Sequence, residues 1–315
     1  MKIAYSCNDY YIPQTCISII SLCENNRNIE ELSIYFIGKD VCDENIEILK
    51  NIVHNYGREL IYIPFENIAF DLNISSVGRH IETIYSKVFF SRIQGLDKII
   101  YLDSDIIVDG SLEELWNIDL TDCYLGAVQT FCGCKHELGM PSDTPFFNDG
   151  MAIMNVDYCR EHNLIEQTLR VIKDFNGNPP VLSEGALNKV CTGHVKYISL
   201  RWNCMAGILY YGLLNINYLA KLLTQYAKED LYESCQHPVN IHYLAGFYNR
   251  PWFTPCSHPL KERYYYYQSL SPWKDTKPTH KPLPFKLVFL KKCIDLFGPR
   301  IILNILELIE NIRIR

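Results

Sequence analysis

Lys98-Ile99-Ile100-Tyr101-Leu102-Asp103-Ser104-Asp105 is the stretch from which the fold is read. Its first five residues form an apolar run typical of a strand buried on both faces, and such strands end at a sheet edge where ligands collect. In extended backbone, positions i and i+2 face the same way, so Asp103 and Asp105 present two carboxylates on one side. Two hard oxygen ligands so placed suit Mg²⁺ or Mn²⁺ and leave coordination positions for water or substrate phosphates. Alone, an Asp-x-Asp also fits a pair of solvated turn aspartates. The strand ahead of it and Asp109-Gly110-Ser111 behind favour the ligand reading. Ser111 and Glu114 have capping-box spacing, which predicts a helix directly after the acidic loop.

Outward from this stretch, the first hundred residues alternate strand and helix patterns, which predicts an α/β fold with a mainly parallel central sheet. Strands are expected at 2–7, 33–37, 59–64 and 98–102, with helices at 13–24, 43–56 and 84–93. Asp43 is the expected N-cap of the second helix, whose Ile46, Leu49, Ile52 and Val53 keep helical spacing. No G-x-G-x-x-G follows the first strand, so the dinucleotide fingerprint is absent. Beyond Tyr124 the pattern predicts a strand at 146–156, a helix at 158–175 and a break at Asn176-Gly177-Asn178-Pro179-Pro180. Ser183 then opens a short helix, and 195–198 is a strand. There is no internal repeat.

The totals narrow the function. A chain of 315 residues buries a substantial core, as one large domain or one domain with appendages. A net charge of -6 argues against a general nucleic-acid binder, whose affinity rests on phosphate contacts. An anionic nucleotide then needs a metal to bridge it to an acidic site. The thirteen cysteines are odd in number and irregularly spaced. Met1-Lys2-Ile3 opens without a signal-peptide pattern, and no apolar stretch reaches the roughly 18 residues of a spanning helix. The expectation is a cytoplasmic protein whose thiols are reduced, mostly buried small hydrophobes. Cys132-Gly133-Cys134-Lys135-His136 has a metal-like look but lacks a second pair at zinc-site spacing.

The last part of the chain differs in composition. Residues 271–284 carry four prolines and read as a linker between a 1–270 domain and a 285–315 tail. From Lys281 to Arg315 there are seven basic residues against three acidic ones. Residues 285–297 and 300–312 are both expected as amphipathic helices, suited either to an anionic membrane surface or to docking on the main domain.

Taken in order, the motifs resemble family 8 of the glycosyltransferases, retaining nucleotide-sugar enzymes of the GT-A type. That family includes bacterial lipopolysaccharide galactosyl- and glucosyltransferases and glycogenin. The resemblance runs from residue 2 to about 252. Asn8-Asp9-Tyr10-Tyr11-Ile12-Pro13 is similar to the family's D-D-N-Y-V-P turn, which implies that Asn8, Tyr10 and Tyr11 hold the uracil of a UDP-sugar. Ile84-Tyr85-Ser86-Lys87 stands where the family has T-Y-x-R. Lys87 there keeps the charge of the donor-contacting arginine but loses its bidentate geometry. Asp103-Ser104-Asp105 is the family's D-x-D, with Ser104 facing the donor. The stretch from His242 to Trp252 resembles H-x-x-G-x-x-K-P-W. It implies His242 as third metal ligand, Gly246 beside the phosphates and Arg250 on the diphosphate.

Phe147-Asn148-Asp149-Gly150-Met151 through Asn155 is similar to F-N-A-G-V…N, which implies Asn148 at the sugar. Ser183-Glu184-Gly185-Ala186-Leu187-Asn188 stands where the family reads D-Q-D-A-L-N, so both aspartates are lost and Glu184 replaces the glutamine near the anomeric carbon. The implied activity is Mn²⁺- or Mg²⁺-dependent, retaining transfer of galactose or glucose from a UDP-hexose to a saccharide or glycolipid, as in lipopolysaccharide synthesis. Two rivals stand beside it. A haloacid-dehalogenase-type phosphatase also ends a strand in D-x-D, but after its first strand. A catalytically impaired sugar-nucleotide binder of the same fold would account for Ser183 and Gly185.

Overall fold

The computed structural model describes residues 1–74, 82–298 and 301. Its centre is a seven-stranded sheet built from β1 (Lys2–Asn8), β2 (Ser33–Lys39), β3 (Glu59–Pro64), β4 (Lys98–Leu102), β6 (Leu125–Thr130), β7 (Phe146–Asn155) and β8 (Val195–Tyr197), in the order β3-β2-β1-β4-β7-β6-β8. Only β7 runs against its neighbours, so the sheet is mainly parallel. The central strands β1 and β4 read as mainly apolar runs because both faces are covered. In β4, Ile100 and Leu102 enter one core beneath helix α1 (Ile12–Asn25), while Ile99 and Tyr101 enter the other. Full burial of each such aliphatic side chain stabilises the fold by about 1.5–3 kcal/mol.

The chain lays β1, β2 and β3 outward in sequence and then returns to place β4 on the other side of β1. At such a switch point the connections diverge, leaving a crevice beyond the carboxyl ends of the two strands. Asn8 ends one of them and Asp103 follows the other. A second sheet closes this crevice. The strand β5 (Ile106–Val108) pairs antiparallel with β10 (Asn240–His242), which pairs parallel with β9 (Cys204–Met205). Ser21 Oγ of α1 accepts a hydrogen bond from Val108 N (2.9 Å), fixing β5 against the first layer.

Register shifts sharply between β6 and β7. Ala127 faces Ala152 but Val128 faces Asn148, so residues 149–151 have no partner on β6. Such bulges re-aim side chains and are common beside active sites. Here the other edge stays paired, with Leu102 opposite Met151 and Asp103 N donating to Gly150 O (2.8 Å). The bulge is thereby pressed against the acidic loop.

Several local expectations are corrected. The helix expected at 84–93 is a 3-10 helix, Glu82–Arg92. The one expected at 158–175 is two helices, Val156–Glu161 and Leu164–Asp174, separated by Asn163 in the left-handed region. Asp43 lies in the first turn of helix α2 (Asp43–Asn55), whose N-cap is Cys42. Ser111 Oγ accepts only a long bond from Glu113 N (3.3 Å), and the helix behind it is one turn, Glu113–Trp116. Ser183 is likewise not a cap: the helix Leu182–Cys191 begins before it. Cys132 and Cys134 form a disulfide, against the expectation that all thiols are reduced, while the other eleven cysteines are free.

The segment 271–284 lies along the domain. Within it β12 (Thr279–His280) pairs with β11 (Phe253–Thr254), and Asn249 Nδ2 donates to Lys281 O (2.7 Å). The helix Phe285–Phe297 is held by one edge. Ile294 is fully buried, and Tyr210 OH donates to Asp295 Oδ1 (2.7 Å). Its other edge leaves Phe285, Phe289 and Leu296 in the open, exposed by 81%, 60% and 75%. The second tail helix expected at 300–312 falls outside the described residues apart from Ile301. No helix among the described residues is long and apolar enough to cross a membrane.

Candidate active site

The acidic loop delivers its two carboxylates to a histidine that is distant in sequence. His242 ends β10 opposite Ile106, so strand pairing alone carries it next to the Asp-Ser-Asp turn. Its Nε2 lies 3.0 Å from Asp105 Oδ1 and 3.9 Å from Asp103 Oδ2. One ligand atom from each of the three residues falls within 4.8 Å of the others. His242 is fully buried, Asp105 is buried, and Asp103 keeps 29% of its side-chain surface. Two carboxylates and one imidazole suit a divalent cation of the Mn²⁺ or Mg²⁺ kind.

Gly150 shows that this space is kept clear. A Cβ there would stand 2.5 Å from His242 Cε1 and 2.6 Å from Asp103 Oδ2. Any side chain at the bulge would displace two of the three ligands, so the residues present fit a bound cation.

The electrostatics of the two aspartates differ. Burial opposes charge on Asp105, but His242 and the Arg250 guanidinium outweigh it and hold the carboxyl well below the usual range. Arg250 Nη2 donates to Asp105 Oδ2 (2.9 Å), and its Nε donates to Tyr243 O (3.1 Å). Asp103 moves the other way. Burial raises it more than the Lys87 charge lowers it, and Asp105 adds to the rise. Tyr101 OH donates to Asp103 Oδ1 (2.7 Å), with Ser6 Oγ 3.2 Å behind.

A cleft of about 440 Å³ opens onto this cluster. Asp103, Ser104, Asp105 and Arg250 line it together with Asn8, Tyr10 and Tyr11, and Thr83, Ile84 and Leu182 complete the wall. Asn8 is buried, its Oδ1 accepts from Tyr10 N (3.2 Å), and its Nδ2 has no partner among the described residues. Asp9 turns away, accepting from Cys42 N and Asn45 Nδ2. Tyr10 stands at the rim, 69% exposed. Ser104 Oγ accepts from Thr15 Oγ1 (2.7 Å).

Lys87 does not line the cleft. Its ammonium is buried between Asp149 Oδ2 (3.0 Å), Asp149 O (2.9 Å) and the Tyr101 ring, so its charge is committed inside the protein. Gly246 is also absent from the lining; open space surrounds it in the turn after β10.

Asn148 and Glu184 meet at the bulge. Asn148 Nδ2 donates to Glu184 Oε2 (2.6 Å), which also receives Asp149 N at 3.4 Å. Burial pushes the Glu184 carboxyl up to about 8, with the Asp149 charge adding to the rise. Val181 and Leu182, both in the left-handed region, turn the chain into this helix. Such residues cost of order 1–3 kcal/mol each and persist where surrounding contacts hold them. The turn brings Pro180 O to 1.9 Å from where a Gly185 Cβ would be, so only glycine is accommodated where the family carries an aspartate. Ser183 Oγ donates to Asp149 Oδ2 (2.7 Å), completing the Lys87–Asp149 pair.

Asp149 and Asn203 were not expected from the sequence. Asp149 is a lone acid in an otherwise uncharged buried strand, a pattern that demands a buried cation. Asn203 is the one amide in the buried run from Trp202 to Ala206. It joins His242 to Asn148, but nothing in its local sequence marks that role.

Residues 2–256 match the model of glycosyl transferase family 8. A Haemophilus influenzae relative is 28% identical over 64% of this chain, and the chain spans 63% of that relative. The lipopolysaccharide 1,2-glucosyltransferase of Escherichia coli is 23% identical over 93% of this chain and 87% of its own. Among solved structures, the galactosyltransferase LgtC, crystallised with donor and acceptor sugar analogs, superposes with a TM-score of 0.71 at 22% identity, covering 91% of this chain and 98% of its own. An active-site Gln-to-Glu mutant of LgtC superposes with a TM-score of 0.67, with the same identity and coverage.

The raised Glu184 carboxyl has a consequence for stability. A carboxyl raised in the folded state binds its proton more tightly there than in the unfolded chain. Its contribution is complete below the unfolded value near 4.5 and is lost as pH rises through about 8. The melting temperature of the native protein is therefore expected to fall relative to Glu184→Gln between about pH 4.5 and 8. Parallel curves across that range would show that Glu184 is not raised.

Proposed function

The chain belongs to glycosyl transferase family 8, and from that membership and the site geometry we propose that it transfers galactose or glucose from a UDP-hexose to a saccharide acceptor, with retention at the anomeric carbon. The observation that carries the reading is the convergence of Asp103, Asp105 and His242 beside a cleft large enough for a nucleotide. A Mn²⁺ or Mg²⁺ ion held by these three residues would supply Lewis-acid neutralisation of the departing diphosphate.

The chain's own residues do the rest. Asn8 offers a buried amide N–H, unpartnered among the described residues, to a base carbonyl, and the Tyr10 and Tyr11 rings offer faces to uracil. Ser104 lines the cleft between the two aspartates in sequence and faces the donor. Arg250 brings a second fixed cation to the phosphate end and stabilises charge on the leaving group. Asn148 and Glu184 do not line the cleft but lie behind its acidic loop at the bulge, and family resemblance assigns them to the glycosyl group. The acceptor hydroxyl attacks from the face UDP leaves, through an oxocarbenium-like state that positioning and charge stabilise. Glu184, as carboxylate, favours that cationic centre or forms a glycosyl-enzyme. Lys87 pairs with Asp149 and offsets part of the Asp149 charge felt by Glu184. Lipopolysaccharide or another lipid-linked bacterial glycan is the proposed acceptor, consistent with a cytoplasmic enzyme at the membrane face. The open Phe285, Phe289 and Leu296 edge and the basic tail would hold it there.

One observation favours a second reading, a sugar-nucleotide binder without turnover: Ser183 and Gly185 replace two family aspartates, and Ser183 is spent on Asp149. Release of UDP from UDP-hexoses in Mn²⁺ separates the two. Turnover is expected, and it should vanish in EDTA and fall by on the order of 10²-fold or more in Asp103→Ala. Full activity in EDTA would refute the metal-dependent reading. Turnover should also rise with pH toward about 8 as Glu184 ionises. Glu184→Gln should flatten that limb and lower kcat by about 10²-fold with little change in UDP affinity. Equal turnover by the variant would remove Glu184 from the chemistry. The full chain should bind anionic vesicles and release them in high salt, and a truncation near 280 should stay folded and lose that binding. Undiminished binding by the truncated protein would contradict the tail's role.

A further inference from the structure

The metal end and the glycosyl end are joined by one buried amide whose orientation is dictated by its neighbours. Gly150 N donates to Asn148 Oδ1 (3.2 Å), and a backbone N–H can only donate, so that end of the Asn148 amide is its oxygen. Its nitrogen then faces the Glu184 carboxyl, to which it donates at 2.6 Å. Asn203 lies 2.8 Å from the same Asn148 oxygen, and only its NH₂ can donate there. The Asn203 oxygen therefore faces His242 Nδ1, 2.8 Å away, and an oxygen acceptor requires that Nδ1 carry the proton. With Nδ1 protonated and held by Asn203, Nε2 is the ring nitrogen left to a cation, in place of its hydrogen bond to Asp105 Oδ1 (3.0 Å). Asn203 itself is fully buried and fixed by its backbone, with its carbonyl accepting from Met205 N (3.0 Å).

We propose that Asn203 is a positioning residue that sets two functional groups at once. Its oxygen holds His242 in the tautomer that binds a cation through Nε2, and its NH₂ holds Asn148 with its own NH₂ toward Glu184. Outer partners of this kind orient metal-binding histidines, and their loss costs roughly 10–100-fold in metal affinity. The inference rests on the metal-dependent reading above and adds a residue that the family motifs do not contain.

Two variants separate the two ends. Asn203→Ala removes both contacts. Asn203→Asp keeps nearly the same volume and an oxygen for His242, but sets a carboxylate oxygen against Asn148 Oδ1 in place of a donor. Mn²⁺ affinity is measured by calorimetry on the protein without donor, turnover by UDP release, and folding by thermal melting. Asn203→Ala is expected to bind Mn²⁺ about 10–100-fold more weakly. Asn203→Asp is expected to hold Mn²⁺ at least as tightly as the native protein while losing tenfold or more in kcat, because Asn148 must turn away from Glu184. A folded Asn203→Ala with native Mn²⁺ affinity would overturn the proposal. So would an Asn203→Asp that weakens Mn²⁺ or turns over normally, and that variant decides alone if the alanine protein does not fold. Failure of the native protein to bind Mn²⁺ would instead refute the metal reading and the proposal with it.

Discussion

Carboxylates taken out of water stay ionised only where positive charge or hydrogen-bond donors meet them, and this site is arranged around that constraint. Asp105 is met by His242 and Arg250 and is held ionised. Asp149 is met by Lys87 and Ser183. Asp103 and Glu184 have less help, and both are raised. The protein therefore carries two buried acids met by cationic side chains, Asp105 and Asp149, and two, Asp103 and Glu184, that burial raises.

The departures from the family pattern form one linked change. Gly185 admits the Pro180 carbonyl, the turn at Val181 and Leu182 delivers Ser183 to Asp149, and Asp149 absorbs Lys87. Lys87 thus balances charge behind the bulge, where a donor-facing arginine was implied at its position. Among the described residues, Arg250 is left as the cation that lines the cleft with Asp103 and Asp105.

Much of the fold was legible because it is local. Strands β1 and β4 are covered on both faces and read as mainly apolar runs, and the Asp-Ser-Asp turn follows directly from the second. His242 was legible only through motif resemblance, since the contact to Asp105 spans 137 residues. The rest was hidden for physical reasons. The bulge at 149–151 is a property of pairing between β6 and β7, not of either strand's composition. Ser183 looks like a helix cap until its hydroxyl is seen on Asp149. Asn203 carries no local signal because its importance lies in which end of its amide faces which neighbour. The short strands β5, β9 and β10 escape periodicity altogether, yet they supply the histidine.

The central claim is that Asp103, Asp105 and His242 form a single cation site through the His242 Nε2 atom. Pulsed EPR of Mn²⁺ on the protein with UDP tests it most directly, because a coordinated imidazole nitrogen modulates the manganese echo. The account predicts a ¹⁴N coupling in the native protein that disappears in His242→Ala. Bound Mn²⁺ with no nitrogen coupling in the native protein would contradict it.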